Sequence, residues 1–479
     1  MTVLSPPRAS AAAPGPSASL LESRPLRHPD ASAPEVMTRR AWWLVVLNVL
    51  IPGSAQVLAG NRRLGRIGLA ATLTLWVLVV LGVVAAVLWR PLVLTLATNW
   101  FVLVLVQGLL IAYAALWLVL TLDTLRLVRL VKVRPLARIG VAMLAVALLV
   151  VTGGGALYAA QLVNVTRDTL GAIFGQSGPS VPPTDGYYNI LLLGADPDKG
   201  RDSMRPDSIS VVSVNAETGA VTITGLPRDT LGVPFAEGPM QELFPDGYGG
   251  ANCETAHCAL NEIFTEVGVL RDGAALYPDA EANGSTPGIE ATKDAAEGYL
   301  GITIPYYVLI DMHGFAALID ALGGVEITVT ERLPIGALSK TPDGELKGVK
   351  GWIEPGEQLM DGDTAQWYAR SRYTTNDWDR MKRQRQLQEA ILKQFTPANV
   401  LTRFQEVAAA GTHVVETDIP QSMIGYFAEL ALKSKEHPVT TIELTPEDGV
   451  DPEDPDYAYV RELVHTALHP PTPTPTPTG

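Results

Sequence analysis

The sequence predicts an α/β domain, a sheet flanked by helices, preceded by an α-helical membrane region. Three observations predict it. Residues 41–163 are almost free of acidic side chains, while the acidic balance behind the net charge of −14 lies mostly beyond Asp185. Three uncharged stretches in that first part reach the roughly 20 residues that a helix needs to cross a bilayer. After Gly186, apolar runs of strand length alternate with helical patterns, which is the arrangement of a sheet with helices packed on it. An acidic chain lacks the broad basic surface that phosphate backbones require, so nucleic acid is excluded as the main partner.

Residues 1–40 are rich in Pro, Ala and Ser and read as a disordered cytoplasmic tail. They lack the short apolar core of a cleavable signal peptide, so the spans are expected to serve as the export signal. The membrane region covers 41–163. Its spans are Ile67 to Trp89, about Asn99 to Leu122, and Ile139 to Val163. A further apolar stretch, Ala41 to Gly60, is interrupted by Asn48, Pro52, Gly53 and Gln56 and reads as a re-entrant or interfacial segment. Short basic loops stay in the cytoplasm. Arg39, Arg40, Arg62, Arg63 and Arg66 flank the broken stretch, and Arg126, Arg129, Lys132, Arg134 and Arg138 form a second basic linker. With all of these inside, three spans remain and the chain emerges outside after Val163. This is a multi-pass protein with its globular part extracellular.

A linker (164–186) leads to a domain expected over 187–445, followed by an extension (446–479) ending in a Pro-Thr repeat. "YNILLLG" from Tyr188 is a continuous apolar run, as in a strand buried on both faces. "SISVVSV" and "AVTITGL" follow, joined by the hairpin-like "NAETG". "IPYYVLI" leads into the helical "HGFAALIDAL", closed by Gly323 and Gly324, and "VEITVT" is another strand. Asp196 sits at the end of the first strand and Asp207 just before the second. Strand ends of α/β sheets are where ligands bind, and two such carboxylates could share a hard divalent cation. On spacing alone they are also ordinary loop acids. Arg228 and Asp229 in "GLPRDT" end the third strand.

The stretch from Tyr368 to Gln386 gathers six Arg and Lys in nineteen residues. If Asp379 to Phe395 is a helix, Arg380, Gln384, Leu387, Ile391 and Phe395 share one face. Lys382, Arg385, Gln386, Glu389 and Lys393 fall on the other, read as solvated. A buried Arg must be paired, so Asp377 or a ligand has to satisfy Arg380. Arg370 and Arg372 leave the preceding helix in an extended exit, where residues two apart point the same way. Arg suits an anion because its planar fork grips phosphate oxygens bidentately. No GxSxG elbow or GxxxxGK[ST] loop is present.

Cys253 and Cys258 are the only cysteines. In an exported half they read as a disulfide closing a small loop, with reduced thiols, or a zinc site completed by His257, as the alternatives. The seven histidines are read as showing no metal-ligand spacing, and His313 as a structural residue.

"NILLLGAD", "RPDSI", "LPRDT", "IDALGGVEITV", "GEQLMDGDTAQWYARSR" and "DWDRMKRQRQ" occur in an order and spacing that resembles the LytR-CpsA-Psr (LCP) proteins, over roughly Tyr188 to Thr396. The resemblance implies a central mixed sheet with an apolar pocket for a polyprenyl chain, on a bacterial membrane anchor. It implies a phosphotransferase that moves a glycopolymer (teichoic acid, capsule or arabinogalactan type) from a polyprenyl-diphosphate donor to peptidoglycan with Mg²⁺ or Mn²⁺. Asp196 and Asp207 then look like the metal carboxylates. Arg205, Arg228, Arg370, Arg372, Arg380 and Gln384 look like the diphosphate cradle, and Asp377 like an orienting partner. The Lys-Ile-Asn-x-Ala stretch usual after "PRD" is here "ALNEIF", with Ala259 where the Lys would stand and Asn261 kept. A non-catalytic polyprenyl-phosphate binding or sensing module is the alternative function. A transcriptional role does not fit an exported domain.

Overall fold

A computed structural model describes residues 26–27, 29–174, 180–195, 204–337, 339–394 and 415–470. Most of the N-terminal tail, Asp196, Phe395, the Pro-Thr repeat and the side chain of His313 lie outside what is described. The chain divides into two compact units, one of residues 1–85 with 104–163, the other of 86–103 with 164–479.

The first unit is helical: α1 (Pro34–Leu50), α2 (Ser54–Ala59) and most of α3 (Arg62–Leu88), α5 (Trp100–Val128) and α6 (Pro135–Phe174). Among the described residues three helices are long and apolar enough to cross a membrane, Arg62–Leu88, Trp100–Lys132 and Pro135–Phe174. The tail is shorter than expected. Pro34 occupies the first turn of α1, where its fixed φ favours a helix and its missing N–H costs nothing, so residues 34–40 are helical. The residues that interrupt the broken stretch are bonded to α5. Asn48 Nδ2 donates to Thr121 Oγ1 (3.3 Å), and Gln56 Nε2 donates to Leu120 O (2.7 Å) and Thr124 Oγ1 (2.9 Å). Between α1 and α2, Gly53 adopts φ +95° and lies so close to α3 that a Cβ would meet Gly65 O at 2.6 Å. Only glycine fits there. The expected linker is helical at its start, because α6 continues to Phe174 and carries the Asn164–Asp168 bond (2.7 Å) one turn apart.

The second unit is built on a six-stranded mixed sheet. Its strands are β1 (Tyr187–Ala195), β2 (Ser208–Asn215), β3 (Val221–Leu226), β4 (Tyr306–Asp311), β11 (Val415–Thr417) and β12 (Thr440–Glu443), in the order β11-β4-β1-β2-β3-β12. β1 pairs antiparallel with β2 and parallel with β4; β2 pairs antiparallel with β3, and β3 parallel with β12. The β2–β3 hairpin turns on Asn215, whose side chain accepts from the backbone N–H groups of Glu217 and Thr218 (3.0 and 2.9 Å).

The two-residue period of a strand explains why β1 reads as apolar throughout. Leu191 and Leu193 enter the main core with Ile209, Val211 and Leu226. Their alternates Leu192 and Gly194 line a cavity on the other face. The main core is covered by α10 (Pro287–Leu300) and by short helices α7 (Pro239–Leu243), α8 (Ile263–Thr265) and α9 (Gly273–Leu276).

A second core forms beside the sheet. It joins α11 (Met312–Leu322), α12 (Gly362–Arg370) and α13 (Asp377–Gln394) to β5 (Val325–Val329) and β10 (Gly356–Met360), which pair with each other. "VEITVT" is therefore a strand, in a two-stranded sheet of its own. Small pairs β6 (Leu333–Ile335) with β9 (Gly351–Ile353), and β7 (Ser339–Lys340) with β8 (Leu346–Lys347), complete this lobe.

α14 (Ile424–Lys433) packs on Tyr188, Val214, Ile223 and Tyr306 of the four inner strands, and α15 (Tyr457–Leu468) places Val460, Val464 and Leu468 in the main core. The domain therefore continues past residue 445 to Leu468, since α15 buries an apolar face that no shorter domain could cover. α4 (Arg90–Thr98), in the connection between α3 and α5, belongs to this unit and lies on α14. The two backbones meet at Gly425, whose added Cβ would stand 2.7 Å from Thr95 N, and Gln421 Nε2 donates to Thr98 O (2.9 Å).

α10 also carries acids into the core. Burial pushes Asp294 up to about 6 and Glu297 up to about 7. A carboxyl raised on folding stabilises below its unfolded value, and that stability is lost as pH rises through the folded value. Between about pH 4.5 and 7, therefore, the folded chain holds more protons than the unfolded one and stability falls. Glu297→Gln should abolish a loss on the order of 2 kcal/mol between about pH 5 and pH 8, read as denaturant midpoints of the full chain. An unchanged pH dependence in the variant overturns this.

Candidate active site

The cavity between the sheet and α11 and α13 is about 480 Å³ and almost wholly apolar. Leu192, Val212, Ile223, Val308 and Ile310 come from four adjacent strands, and Phe315, Leu387 and Ile391 close it from the helices. Polar atoms enter from few places, chiefly Gln384, Gln388 and Ser208. Gln388 Nε2 donates to Ser210 Oγ (3.2 Å).

One end of the cavity is charged. Ser208, Ala369 and Gln384 line it, and their neighbours Asp207, Arg370 and Arg380 carry the charge. Arg228, at the end of β3, pairs with Asp207 through Nη1, with Asp229 through Nε (3.4 Å), and approaches Asp377 Oδ1 at 3.9 Å. Asp377 in turn accepts from Arg380 Nη2 at 2.9 Å. Asp207, Arg228, Asp377 and Arg380 thus form one continuous chain of charges. Arg380 is only 5% exposed. Burial, then the proximity of Arg228, lowers its proton affinity, with Arg372 adding to the effect and Asp377 and Asp207 opposing it. The charges of Arg228 and, more weakly, of exposed Arg372 thus act on Arg380. Buried Arg380 Nε and Gln384 Oε1 have no hydrogen-bond partner among the described residues. The unmet Arg380 Nε–H is a buried donor that an anionic ligand would satisfy, while Gln384 Oε1 is an acceptor and would need a donor from the ligand.

The other expected cradle residues stand differently. Arg370 is exposed at the end of α12, and Arg372 is exposed two residues on, its guanidinium 6.0 Å from the Tyr373 ring. Arg205 is half exposed and paired with buried Glu262 (3.0 Å), which also receives His257. Asn261 reaches the site through its backbone, donating its N–H to Arg228 O (2.9 Å), and its own Oδ1 is unpaired among the described residues. Cys253 and Cys258 form a disulfide, Cα–Cα 6.1 Å, so the zinc alternative built on them and His257 is not adopted.

The expectation for the far face of α13 fails. Lys382 and Lys393 are exposed, but Arg385 is 2% exposed, and Gln386 donates to Thr328 O (3.0 Å). The helix is clamped on both sides, by the second core and by β3 and β12. Arg385 lies over Gly225, with its Nε 3.0 Å from where a Cβ would be, and faces Glu443 at 3.8 Å. Arg383 was not expected to matter either. It is buried, and donates to Tyr368 O (3.1 Å), Ser371 O and Thr375 Oγ1 (3.1 Å), which fixes the segment bearing Arg370 and Arg372. A one-face helix template cannot find such residues; only their unusual density hinted at them.

An apolar cavity that ends in clustered guanidinium groups and carboxylates defines a protein that takes an amphiphile with an anionic head. The chain belongs to the LytR_cpsA_psr family, whose profile matches residues 165–464. The polyisoprenyl-teichoic acid–peptidoglycan teichoic acid transferase TagU of Bacillus cereus is 26% identical over 57% of this chain and 76% of its own. The cell wall biosynthesis protein LcpA of Corynebacterium glutamicum is 25% identical over 66% of this chain and 61% of its own. The crystal structure of B. subtilis TagV aligns with 60% of this chain and 98% of its own at 21% identity, with a TM-score of 0.41.

Proposed function

We propose that this protein transfers a glycopolymer from a polyprenyl-diphosphate carrier to peptidoglycan on the outer side of a bacterial membrane. The observation that carries the reading is the Asp207–Arg228–Asp377–Arg380 chain at one end of an apolar cavity. The cavity suits a prenyl chain, and the arginines suit a diphosphate. The named activity of TagU supports the same reading. An acceptor sugar hydroxyl attacks the phosphorus that bears the glycan and releases its proton. The bridging P–O bond breaks and polyprenyl phosphate leaves with the electron pair. Charge growing on the phosphoryl oxygens is met by Arg228 and Arg380, already held by their carboxylates, so little reorganisation is needed there at the moment of reaction, and exposed Arg372 adds its charge from the rim. Asp377 holds Arg380 in line, and Gln384 orients the head at the boundary with the apolar part.

Mg²⁺ or Mn²⁺ is the ion this proposal assigns, with Asp207, now paired with Arg228, as its described donor. Asp207 is a partly exposed hard oxygen ligand, and such ions are held by one or two carboxylates together with substrate phosphate and water. Asp207 with Asp196 would hold the ion, which would supply further neutralisation of phosphate charge.

The orientation rests on the basic linkers and on α4. The connection between α3 and α5 packs within the α/β unit, which supports the reading that both lie on the same side of the membrane. The basic residues from Arg126 to Arg138 then fall on the opposite, cytoplasmic side, as positive charge prefers.

Protoplasts carrying the full chain, given a soluble short-prenyl diphosphate glycan and peptidoglycan fragments from outside, should yield covalent glycan–peptidoglycan conjugate. Conjugate seen only after lysis overturns the orientation. Retained lipid without conjugate in either case overturns the transfer and favours a binding module.

A further inference from the structure

Far from the cradle, His465, His469 and Asp185 come together. Each offers one ligand atom, and the three atoms lie within 4.8 Å of one another. This corrects the reading that the histidines lack metal-ligand spacing. His465 lies in the last turn of α15 and His469 caps it, donating its N–H to His465 O (2.8 Å), which brings the two imidazoles together. Their i, i+4 spacing is also that of the helical His pairs that serve zinc. Asp185, just before β1, brings its Oδ2 to 2.8 Å from His469 Nε2.

The surroundings hold these groups in place. The residues flanking Asp185 and Gly186 bridge each other through backbone bonds between Thr184 and Tyr187 (2.9 and 3.0 Å). The Tyr187 hydroxyl donates to Leu468 O, and its ring meets that of His469 edge-on at 5.5 Å. The imidazoles of His465 and His469 lie 4.8 Å apart, centroid to centroid. Arg461, the neighbouring cation, is committed to Gly298 O (3.1 Å). A cavity of about 130 Å³ opens beside the group and leaves room for water as a further ligand.

We propose that Asp185, His465 and His469 form a site for a divalent transition metal, Zn²⁺ by its ligand set, that clasps the start of the α/β unit to its end. Two imidazoles and one carboxylate are the donors zinc takes when three protein ligands leave a position open. With bonds of about 2.0–2.1 Å the ligand atoms would stand roughly 3.3 Å apart. His465 and Asp185 are exposed, so turning their side chains is the way the present 4.8 Å spread would close to that spacing, with the Asp185–His469 pair opening to admit the ion. A simple Asp–His ion pair accounts for His469 but not for His465. Hard cations such as Mg²⁺ prefer all-oxygen shells, so this site and the Asp207 region would take different ions.

The test uses the full chain in detergent, without a polyhistidine tag, stripped by chelator. Titration with Co²⁺ alone should give one equivalent with visible d–d bands, displaced by Zn²⁺. His465→Gln and Asp185→Asn should each weaken Co²⁺ binding by about tenfold or more, while Asp207→Asn leaves it unchanged. Zn²⁺ should also slow proteolytic release of the C-terminal segment from the intact chain but not from His465→Gln. Both variants alter exposed side chains, and unchanged circular dichroism confirms their folding. Absence of stoichiometric Co²⁺ binding, or binding that survives both substitutions, overturns the proposal.

Discussion

Arg380→Ala should lower glycan transfer by about 10²–10³-fold while the protein stays folded. Arg380 is the buried link between Asp377 and the cluster that includes Arg228 and Arg372, and its Nε has no partner among the described residues. A donor fixed in a low-dielectric site contributes most as phosphoryl charge develops, so the loss should fall on kcat more than on KM. Arg380→Lys keeps the charge but loses the fork, and should recover only part of the rate. Lys382 gives the contrast. Its side chain is 45% exposed and paired with exposed Glu447, so Lys382→Ala should stay near wild type. Gln384→Ala should be intermediate. Transfer is measured with purified full-length variants, a polyprenyl-diphosphate glycan and saturating Mg²⁺. Arg380→Ala within about tenfold of wild type would remove Arg380 from the cradle.

Arg385→Ala should cost stability rather than chemistry, by about 3–5 kcal/mol. Burial lowers the proton affinity of Arg385 and raises that of Glu443, so at 3.8 Å the attraction only partly offsets desolvation of both groups. Removing one partner leaves the other charge buried and uncompensated. Arg385→Met with Glu443→Leu should restore most of the loss, because well-packed apolar groups replace buried ion pairs at little cost. Denaturant midpoints of the four proteins (wild type, both singles and the double) decide it. An Arg385→Ala loss below about 1 kcal/mol, the level of an exposed pair, would mean that the residue reaches solvent. Transfer by Arg385→Ala should fall only in proportion to the folded fraction.

Much of the architecture was legible along the chain. The three apolar helices, β1 to β5, the hairpin at Asn215 and α11 all follow from periods of 2 and 3.6 that any segment shows by itself. The inward stripe of α13 was legible too, since Gln384, Leu387 and Ile391 keep helical spacing and do turn toward the cavity and the second core, and Arg380 on the same stripe is buried beside Asp377. The opposite face was not. Whether Arg385 meets water depends on β12 and Gly225, which belong to other parts of the chain and reach α13 only through the sheet. The same holds for Arg383, whose partners are carbonyls beyond α12, and for the His465–His469 pair, whose spacing was visible but whose Asp185 was not.

By itself, then, the sequence determined the apolar spans, β1 to β5 and α11, and which arginines share a stripe with apolar residues. Hydrophobic period and local hydrogen bonding act over a few residues, and they leave their mark in adjacent letters. Only the tertiary structure decided that Asp207 and Asp377 flank one arginine, that Arg385 is enclosed, and that the two ends of the α/β unit meet at a histidine pair. Charge pairing and burial depend on distance in space. Loop closure brings such residues together from positions that carry no mutual signal in the chain.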